Sequence, residues 1–205
     1  IGKDYFVDVR RIFSQFNAVG VGVTPQVTKK IKFRIFELAF CQISRKQGKI
    51  TNYGLNMGRY EGEGEADWLP GCSMAYRHSS IGSTKFDLRR KGYALGEDVD
   101  FSLRMRQKGK LIWSSTPIVF HNTSPVNRLK REEMLRMTVR HRWTLLTDQI
   151  SKMNKFSFFW SLFASIIYWF LRFLRYRKFE NLLFLKAITL GFFDVLKKGP
   201  LNEVD

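Results

Sequence analysis

Two stretches place side chains capable of chemistry at defined spacing: Asp67-Trp68-Leu69-Pro70-Gly71-Cys72-Ser73-Met74-Ala75-Tyr76-Arg77 and Gly92-Tyr93-Ala94-Leu95-Gly96-Glu97-Asp98-Val99-Asp100-Phe101-Ser102-Leu103-Arg104. In the second, the adjacent carboxylates of Glu97 and Asp98 follow a glycine and open a helical pattern. Backbone amides at a helix start favour an ionised carboxylate, and Gly96 lets the chain approach a ligand closely. An ionised carboxylate at the edge of a cleft can take the proton of a hydroxyl as a general base. The plainer alternative is that Glu97, Asp98 and Asp100 only cap a helix. Asp98-Val99-Asp100 also spells D-x-D, a pattern that can hold Mg²⁺ or Mn²⁺ with hard oxygen ligands.

The elements around these residues follow from hydrophobic periodicity. Asp4 to Phe16 reads as a helix with Phe6, Val9, Ile12, Phe13 and Phe16 on one side, and Ala18 to Val23 as a short apolar strand closed by Thr24 and Pro25. A helix followed by a buried strand indicates an α/β layer. Thr28 to Arg45 reads as a second helix ended by Gly48, Lys49 to Asn56 as a strand, and Arg59 to Glu65, with its run of glutamates and glycines, as a loop. Ala66 to Leu69 and Ser73 to Arg77 are short strands broken by Pro70-Gly71, and a helical turn lies around Ser79 to Leu88. Glu97 to Gln107 is a helix with its carboxylates at the start, and Leu111 to Ser114 and Ile118 to Phe120 are strands around Pro117.

The chain has 205 residues and a net charge of +17, from 35 Lys plus Arg against 18 Asp plus Glu. With 44% hydrophobic and 15% aromatic residues it is not a disordered polycation. Cys41 and Cys72 lack the spacing of a disulfide framework or zinc site, so a reducing compartment is expected. The charge leaves nucleic acid, anionic membrane or phosphorylated substrates as partners. Asn127 to Gln149 is a basic helix with Arg128, Lys130, Arg131, Arg136, Arg140 and Arg142. Phe156 to Leu171 then carries no charged residue and is of borderline length for a membrane span. Its stripe of Ser157, Ser161, Ser165 and Tyr168, with basic flanks on both sides, favours helix packing or a helix lying in the interface of an anionic leaflet. Leu182 to Leu196 is a second amphipathic helix able to pair with it. The alternative is that both helices are buried core.

Three ordered pieces, Trp68-Leu69-Pro70-Gly71-Cys72-Ser73-Met74, Gly96-Glu97-Asp98-Val99-Asp100, and Pro117-Ile118-Val119-Phe120-His121 followed by Ser124-Pro125, together resemble the acceptor-side half of family 2 glycosyltransferases. These are inverting enzymes of the GT-A fold that transfer a sugar from a nucleotide-diphosphate donor, and the resemblance covers about Asp4 to Arg128. It implies an α/β fold in which residues 1–128 form the C-terminal, acceptor half of a GT-A domain and 129–205 a membrane-associated helical region. It further implies that Asp98 is the catalytic base and Glu97 its partner, orienting the acceptor or the loop. Trp68, Gly71 and Cys72 would line the acceptor site; Trp68 could stack on a sugar ring or serve as a core aromatic. His121 stands where the fold often places a histidine on the donor's divalent ion, Mg²⁺ or Mn²⁺, although imidazole can also hydrogen-bond the diphosphate or be structural.

The D-x-D is not read as the metal site. In the family that motif follows a hydrophobic strand of the nucleotide-binding half, which would precede Ile1, and nothing in Ile1 to Gly20 replaces it. The expectation is that the donor half lies outside this chain, which by itself would not be a competent enzyme. Arg142-Trp143 matches the Arg-Trp ending of a glutamine-rich element in processive relatives, where it meets diphosphate and acceptor. The preceding glutamine is missing, and a basic helix on the membrane surface is the alternative.

The function expected is therefore transfer of a sugar from a nucleotide-diphosphate sugar to a hydroxyl of a glycan or lipid-linked acceptor. The partners would be nucleotide sugar, acceptor and an anionic membrane surface rather than nucleic acid, with the catalytic part cytoplasmic. Aromatics gathered in one hydrophobic block, instead of interleaved with Lys and Arg on an exposed strand face, argue against nucleic acid. A non-catalytic basic module binding membrane or nucleic acid is the alternative.

Overall fold

The computed structural model describes residues 2–25, 34–58, 61–121 and 129–202. Its first layer is α1 (Tyr5–Phe16), which buries Tyr5, Val9 and Ile12 at helical spacing and ends at Asn17 in the left-handed conformation. Phe6, expected on that buried side, is 63% exposed, because Tyr5 rather than its neighbour turns inward. The chain continues into β1 (Gly20–Pro25), the central strand. The strands β2 (Glu63–Ala66), β3 (Ala75–Tyr76) and β4 (Leu111–Val119) complete a four-stranded sheet of order β2-β4-β1-β3. Strand β1 runs parallel to β4 and antiparallel to β3, and β2 runs antiparallel to β4.

Both faces of the sheet are covered, and the alternation along β4 shows how. Ile112 and Val119 join Val21, Val23 and Ile12 in the cluster under α1, whereas Leu111 and Trp113 join Leu69, Val99, Met105 and Leu145 on the other face. That second face is covered by α4 (Glu97–Arg106) and by part of α5 (Arg131–Thr147). The mixed α/β architecture expected from the sequence is thus present.

Several element expectations are corrected. The helix expected over Thr28 to Arg45 includes only α2 (Ile35–Ala39) among the described residues, and 28–33 lie outside them. It stops because Cys41 takes a φ of 58° and the Gln42 side chain donates to the Phe40 carbonyl and to Ser165 Oγ, turning the chain toward a later helix. Lys49 to Asn56 is a tight turn closed by one bridge between Ile50 and Asn56, not a strand. The segment Glu63 to Ala66, expected as part of a charged loop and strand start, is an edge strand. Glu63 there receives Arg11 Nη2 at 2.5 Å and Ser114 Oγ at 3.2 Å, which answers its charge. The two strands expected around Pro117 are one, with a register irregularity opposite β1 between Val23 and Pro25. The helical turn of the Ser79 region is α3 (His78–Ile81).

Three helices close the chain: α5, α6 (Lys155–Tyr176) and α7 (Phe179–Lys198). Their shared core is Val139, Leu146, Phe158, Leu162, Ile188 and Val195. Helices α5 and α7 approach so closely at Gly191 that an added Cβ would lie 2.9 Å from the Arg136 carbonyl oxygen. Neighbouring Leu145 and Leu146 of α5 face the sheet core and the helical core respectively, so α5 joins the two. The expected boundary at 128/129 adjoins residues 122–128, which lie outside the described ones, as do Ser124-Pro125 and Arg128.

Helix α6 is long and apolar enough to cross a membrane, by length and composition. Its small and polar stripe is used for packing. Asn52 Nδ2 donates to Ser157 Oγ at 2.9 Å, Arg142 Nη2 to Ser161 Oγ at 2.5 Å, and Gln42 Nε2 to Ser165 Oγ at 2.8 Å. Tyr168 stacks against Phe36 and Phe40 with ring centroids 5.4 and 6.2 Å away. One side of α6 is thereby laid along the protein for about three turns, and Phe156, Trp160, Phe163 and Phe170 project from the other.

Candidate active site

Helix α4 starts at Gly96, whose φ of 76° lies in the left-handed region that a side chain disfavours. Asp98 follows within the first turn. Its Oδ2 accepts the Gly71 amide at 3.0 Å and its Oδ1 the Val99 amide at 2.9 Å. One helical turn further, on the same side of α4, the fully buried Ser102 accepts the Leu69 amide at 3.0 Å and shares a hydrogen bond of 2.8 Å with the Tyr76 hydroxyl. The turn segment Leu69 to Gly71 is therefore fastened to α4 by two backbone amides. Ser73 anchors its far end, donating from Oγ to the Val23 carbonyl at 2.6 Å.

Burial raises the Asp98 pKa above the ordinary carboxylate value, against the opposing pull of the Gly71 and Val99 amides and of Arg90. Tyr76 is pushed up to about 12, chiefly by burial, and stays protonated. A carboxylate oxygen has two lone pairs, so Asp98 Oδ2 can still accept a further proton donor beside Gly71. The site is thus a half-buried carboxylate of raised basicity beside an exposed turn, Gly71-Cys72, with Glu97 exposed next to it. Such a group can remove a proton from a hydroxyl that approaches over the turn.

Behind the helix start lies a charged cluster. Asp100 is fully buried and receives Arg104 Nε at 2.9 Å, with Arg90 Nη2 at 3.6 Å. Arg89 bonds both Asp87, at 2.9 Å, and Asp148. Among the described residues Asp87, Asp100 and Asp148 form a carboxylate group tight enough to share a cation. Three arginines, Arg89, Arg90 and Arg104, already answer these three charges, so a divalent ion would have to displace guanidinium groups. The cluster does not fit the Mg²⁺ or Mn²⁺ that the resemblance implies. The D-x-D aspartates also diverge, Asp98 to Gly71 and Asp100 to the arginines, and are not a ligand pair.

The remaining candidate residues lie elsewhere. Trp68 is buried in the core, its indole donating to the Met57 carbonyl at 3.1 Å and meeting Trp113 edge-on at 4.8 Å. It cannot stack on a ligand from there, and the core-aromatic alternative describes it. His121 follows the end of β4, exposed, and is not part of the carboxylate group. Arg142 is buried between α5, α6 and the Tyr53 turn, where its guanidinium donates to the Tyr53 carbonyl and to Ser161 Oγ; burial lowers its pKa to about 10. Trp143 packs on Phe158 and Phe159. Both belong to the seam of the helical core. The sequence reading missed Ser102, Tyr76, Arg90 and His141. The first was within reach, since Ser102 stands four residues after Asp98 on the same helix face.

Asp98 makes stability depend on pH in a definite sense. A carboxyl whose folded pKa is raised holds its proton longer when folded, so its contribution favours the fold in acid and is lost as pH rises through the folded value. Asp98→Asn removes that dependence while keeping an acceptor for Gly71. The variant is expected to melt at a higher temperature than the parent near neutral pH, with the gap closing on acidification below the ordinary value of 3.8. Parallel melting curves across pH check it; a constant gap, or a less stable variant at neutral pH, would remove the claim that Asp98 is held at a desolvation cost. No protein-family model, curated protein or solved structure matches the chain.

Proposed function

We propose that the chain is the acceptor-side part of a family 2 inverting glycosyltransferase of GT-A fold, with Asp98 as general base. One contact carries the proposal: the Gly71 amide on Asp98 Oδ2 at 3.0 Å, which joins two motifs 27 residues apart. The acceptor hydroxyl would lie over the Gly71-Cys72 turn. Asp98 takes its proton as the oxygen attacks the anomeric carbon of a nucleotide-diphosphate sugar, and the nucleoside diphosphate leaves from the opposite face, inverting the centre. Glu97, exposed beside it, orients the acceptor. The raised pKa of Asp98 supports the role, because a stronger base has more driving force for that transfer. No step is assigned to a metal ion, since the carboxylate group present does not fit one.

The C-terminal helices support a membrane-held acceptor, a glycan or lipid-linked saccharide, with the catalytic part cytoplasmic. Trp160 and Phe163 stand 55% and 54% exposed on the side of α6 turned away from the protein. Lys152, Lys155, Arg175 and Arg177 bracket that face with positive charge. A helix bonded to the protein along its polar stripe is suited to lie in the interface rather than to cross the bilayer.

The enzymatic claim is tested in the full natural polypeptide that contains these residues, by following labelled sugar from a panel of nucleotide sugars into a membrane lipid and glycan extract. Asp98→Asn is expected to lower transfer by about 10²- to 10⁴-fold while the protein stays folded; turnover near the parent level would eliminate Asp98 as base. The docking claim is tested by flotation with vesicles of phosphatidylcholine and phosphatidylglycerol. The pair Trp160→Glu and Phe163→Glu is expected to weaken binding about tenfold or more, from the loss of buried aromatic area. Unchanged flotation would show that another surface meets the lipid.

A further inference from the structure

The turn beside the Asp98 carboxylate is Leu69-Pro70-Gly71, and its position is set from two sides. On one side it rests on β1 at Gly22, where an added Cβ would lie 2.8 Å from Leu69 Cδ2 and 2.9 Å from Pro70 Cδ. On the other it faces α4, where a Cβ on Gly71 would lie 3.4 Å from that of Asp98. Proline has no amide proton, so Leu69 and Gly71 carry the backbone donors of this turn. Both go to α4, Leu69 to Ser102 Oγ at 3.0 Å and Gly71 to Asp98 Oδ2 at 3.0 Å.

Ser102 differs from the other hydroxyls of the helices. Thr138, Thr144, Thr147, Ser165 and Thr189 each donate to the carbonyl four residues back, the usual outlet for a helical hydroxyl. Ser102 instead shares a bond of 2.8 Å with Tyr76 Oη on β3. Two hydroxyls in one bond use one proton between them. Ser102 is fully buried and Tyr76 half-buried, so were the phenol the donor, the serine proton would be enclosed without an acceptor among the described residues. The serine therefore donates to the phenol oxygen and accepts the Leu69 amide. Tyr76 is held in turn by its ring, which meets Phe101 of α4 edge-on at 5.1 Å.

We propose that Tyr76 and Ser102 are positioning residues for Asp98, a hydroxyl pair that holds the turn where the Gly71 amide meets the carboxylate. They act through the turn and not on the reacting hydroxyl. Removing the phenol oxygen leaves the Ser102 proton to the Asp98 carbonyl one turn back, as in the other helices, and draws Oγ from the Leu69 amide. With Leu69 released, the turn is free to draw back from α4, and the carboxylate loses part of an amide bond that favours its charged form. Arg90, the charged group that also acts on Asp98, keeps its contacts with Asp87, Asp100 and the Leu95 carbonyl. The importance of the pair for sugar transfer rests on Asp98 being the base, whereas its hold on the carboxyl group does not.

Amide hydrogen exchange and carbon-13 NMR of the aspartate carboxyl groups, recorded on the full chain, test the pair in Tyr76→Phe, which keeps the ring, and in Ser102→Ala. In both variants the Gly71 amide is expected to exchange about tenfold faster than in the parent, the equivalent of one hydrogen bond, and the Asp98 midpoint to move upward. Ser165→Ala removes another buried helical hydroxyl that receives a donor from a distant segment, and is expected to change neither. Tyr76→Phe decides should Ser102→Ala not fold. An unchanged Gly71 amide in Tyr76→Phe, an Asp98 midpoint that stays or falls, or equal changes in Ser165→Ala would overturn the positioning role. Neither readout involves turnover, so this failure is separate from a failure of Asp98 as base, which the Asp98→Asn transfer assay reads.

Discussion

The structure depends on how one fully buried carboxylate is neutralised. Asp100 sits in the first turn of α4 with Arg104 on one side and Arg90 on the other, and the neighbouring Asp87, Arg89 and Asp148 extend the cluster to three carboxylates and three guanidinium groups. Buried ions cost several kcal/mol each to desolvate, and removal of one partner leaves an uncompensated charge at roughly 3–5 kcal/mol. Such a cluster is demanding about geometry even where it adds little net stability. It fixes the start of α4 against the Arg89-Arg90 corner and against Asp148 at the end of α5. Asp98, two residues earlier, is then aimed at Gly71, with Ser102 repeating the same attachment one turn later.

This explains why the site was partly legible in the sequence. The glycine, the paired carboxylates and the Pro70-Gly71 turn are local signals, and the helix start and the turn they imply are present; the strands expected on either side of that turn are not, since only Ala66 and Ala75–Tyr76 of them are extended and they belong to opposite edges of the sheet. That Asp98 faces Gly71 while Asp100 faces the arginines is a consequence of helical periodicity, readable once the helix is assigned. Trp68 was ambiguous because an aromatic at a strand end looks the same whether it faces a ligand or Trp113. Arg142 and Trp143 are ambiguous for a related reason. A basic helix suggests an exposed charged face, yet Arg142 satisfies the Tyr53 carbonyl and Ser161 inside a packed seam, a pairing of residues far apart in sequence. The acidic edge strand was hidden because the charge on Glu63 is met by Arg11, 52 residues away.

The serine stripe of α6 shows the opposite case. Spacing alone identified a narrow face suited to packing, and each of Ser157, Ser161 and Ser165 receives a hydrogen bond from outside its helix, from Asn52, Arg142 and Gln42. What spacing could not give was the partner. The same bonds decide how the apolar side is used: with its polar stripe committed to the protein, α6 keeps Phe156, Trp160 and Phe163 outward as one surface. The basic residues therefore serve different ends: Arg90 and Arg104 neutralise a buried carboxylate, whereas Lys152, Lys155, Arg175 and Arg177 flank the aromatic face.

The central physical claim is that the fold holds Asp98 half-buried against the Gly71 amide as a carboxylate more basic than usual. Carbon-13 NMR of the aspartate carboxyl groups, read together with the amide resonance of Gly71 across an acid titration, measures this directly. The account requires Asp98 to titrate above 3.8, with the Gly71 amide shifting at the same midpoint. A midpoint at or below that value, or a Gly71 amide that does not respond, would contradict it.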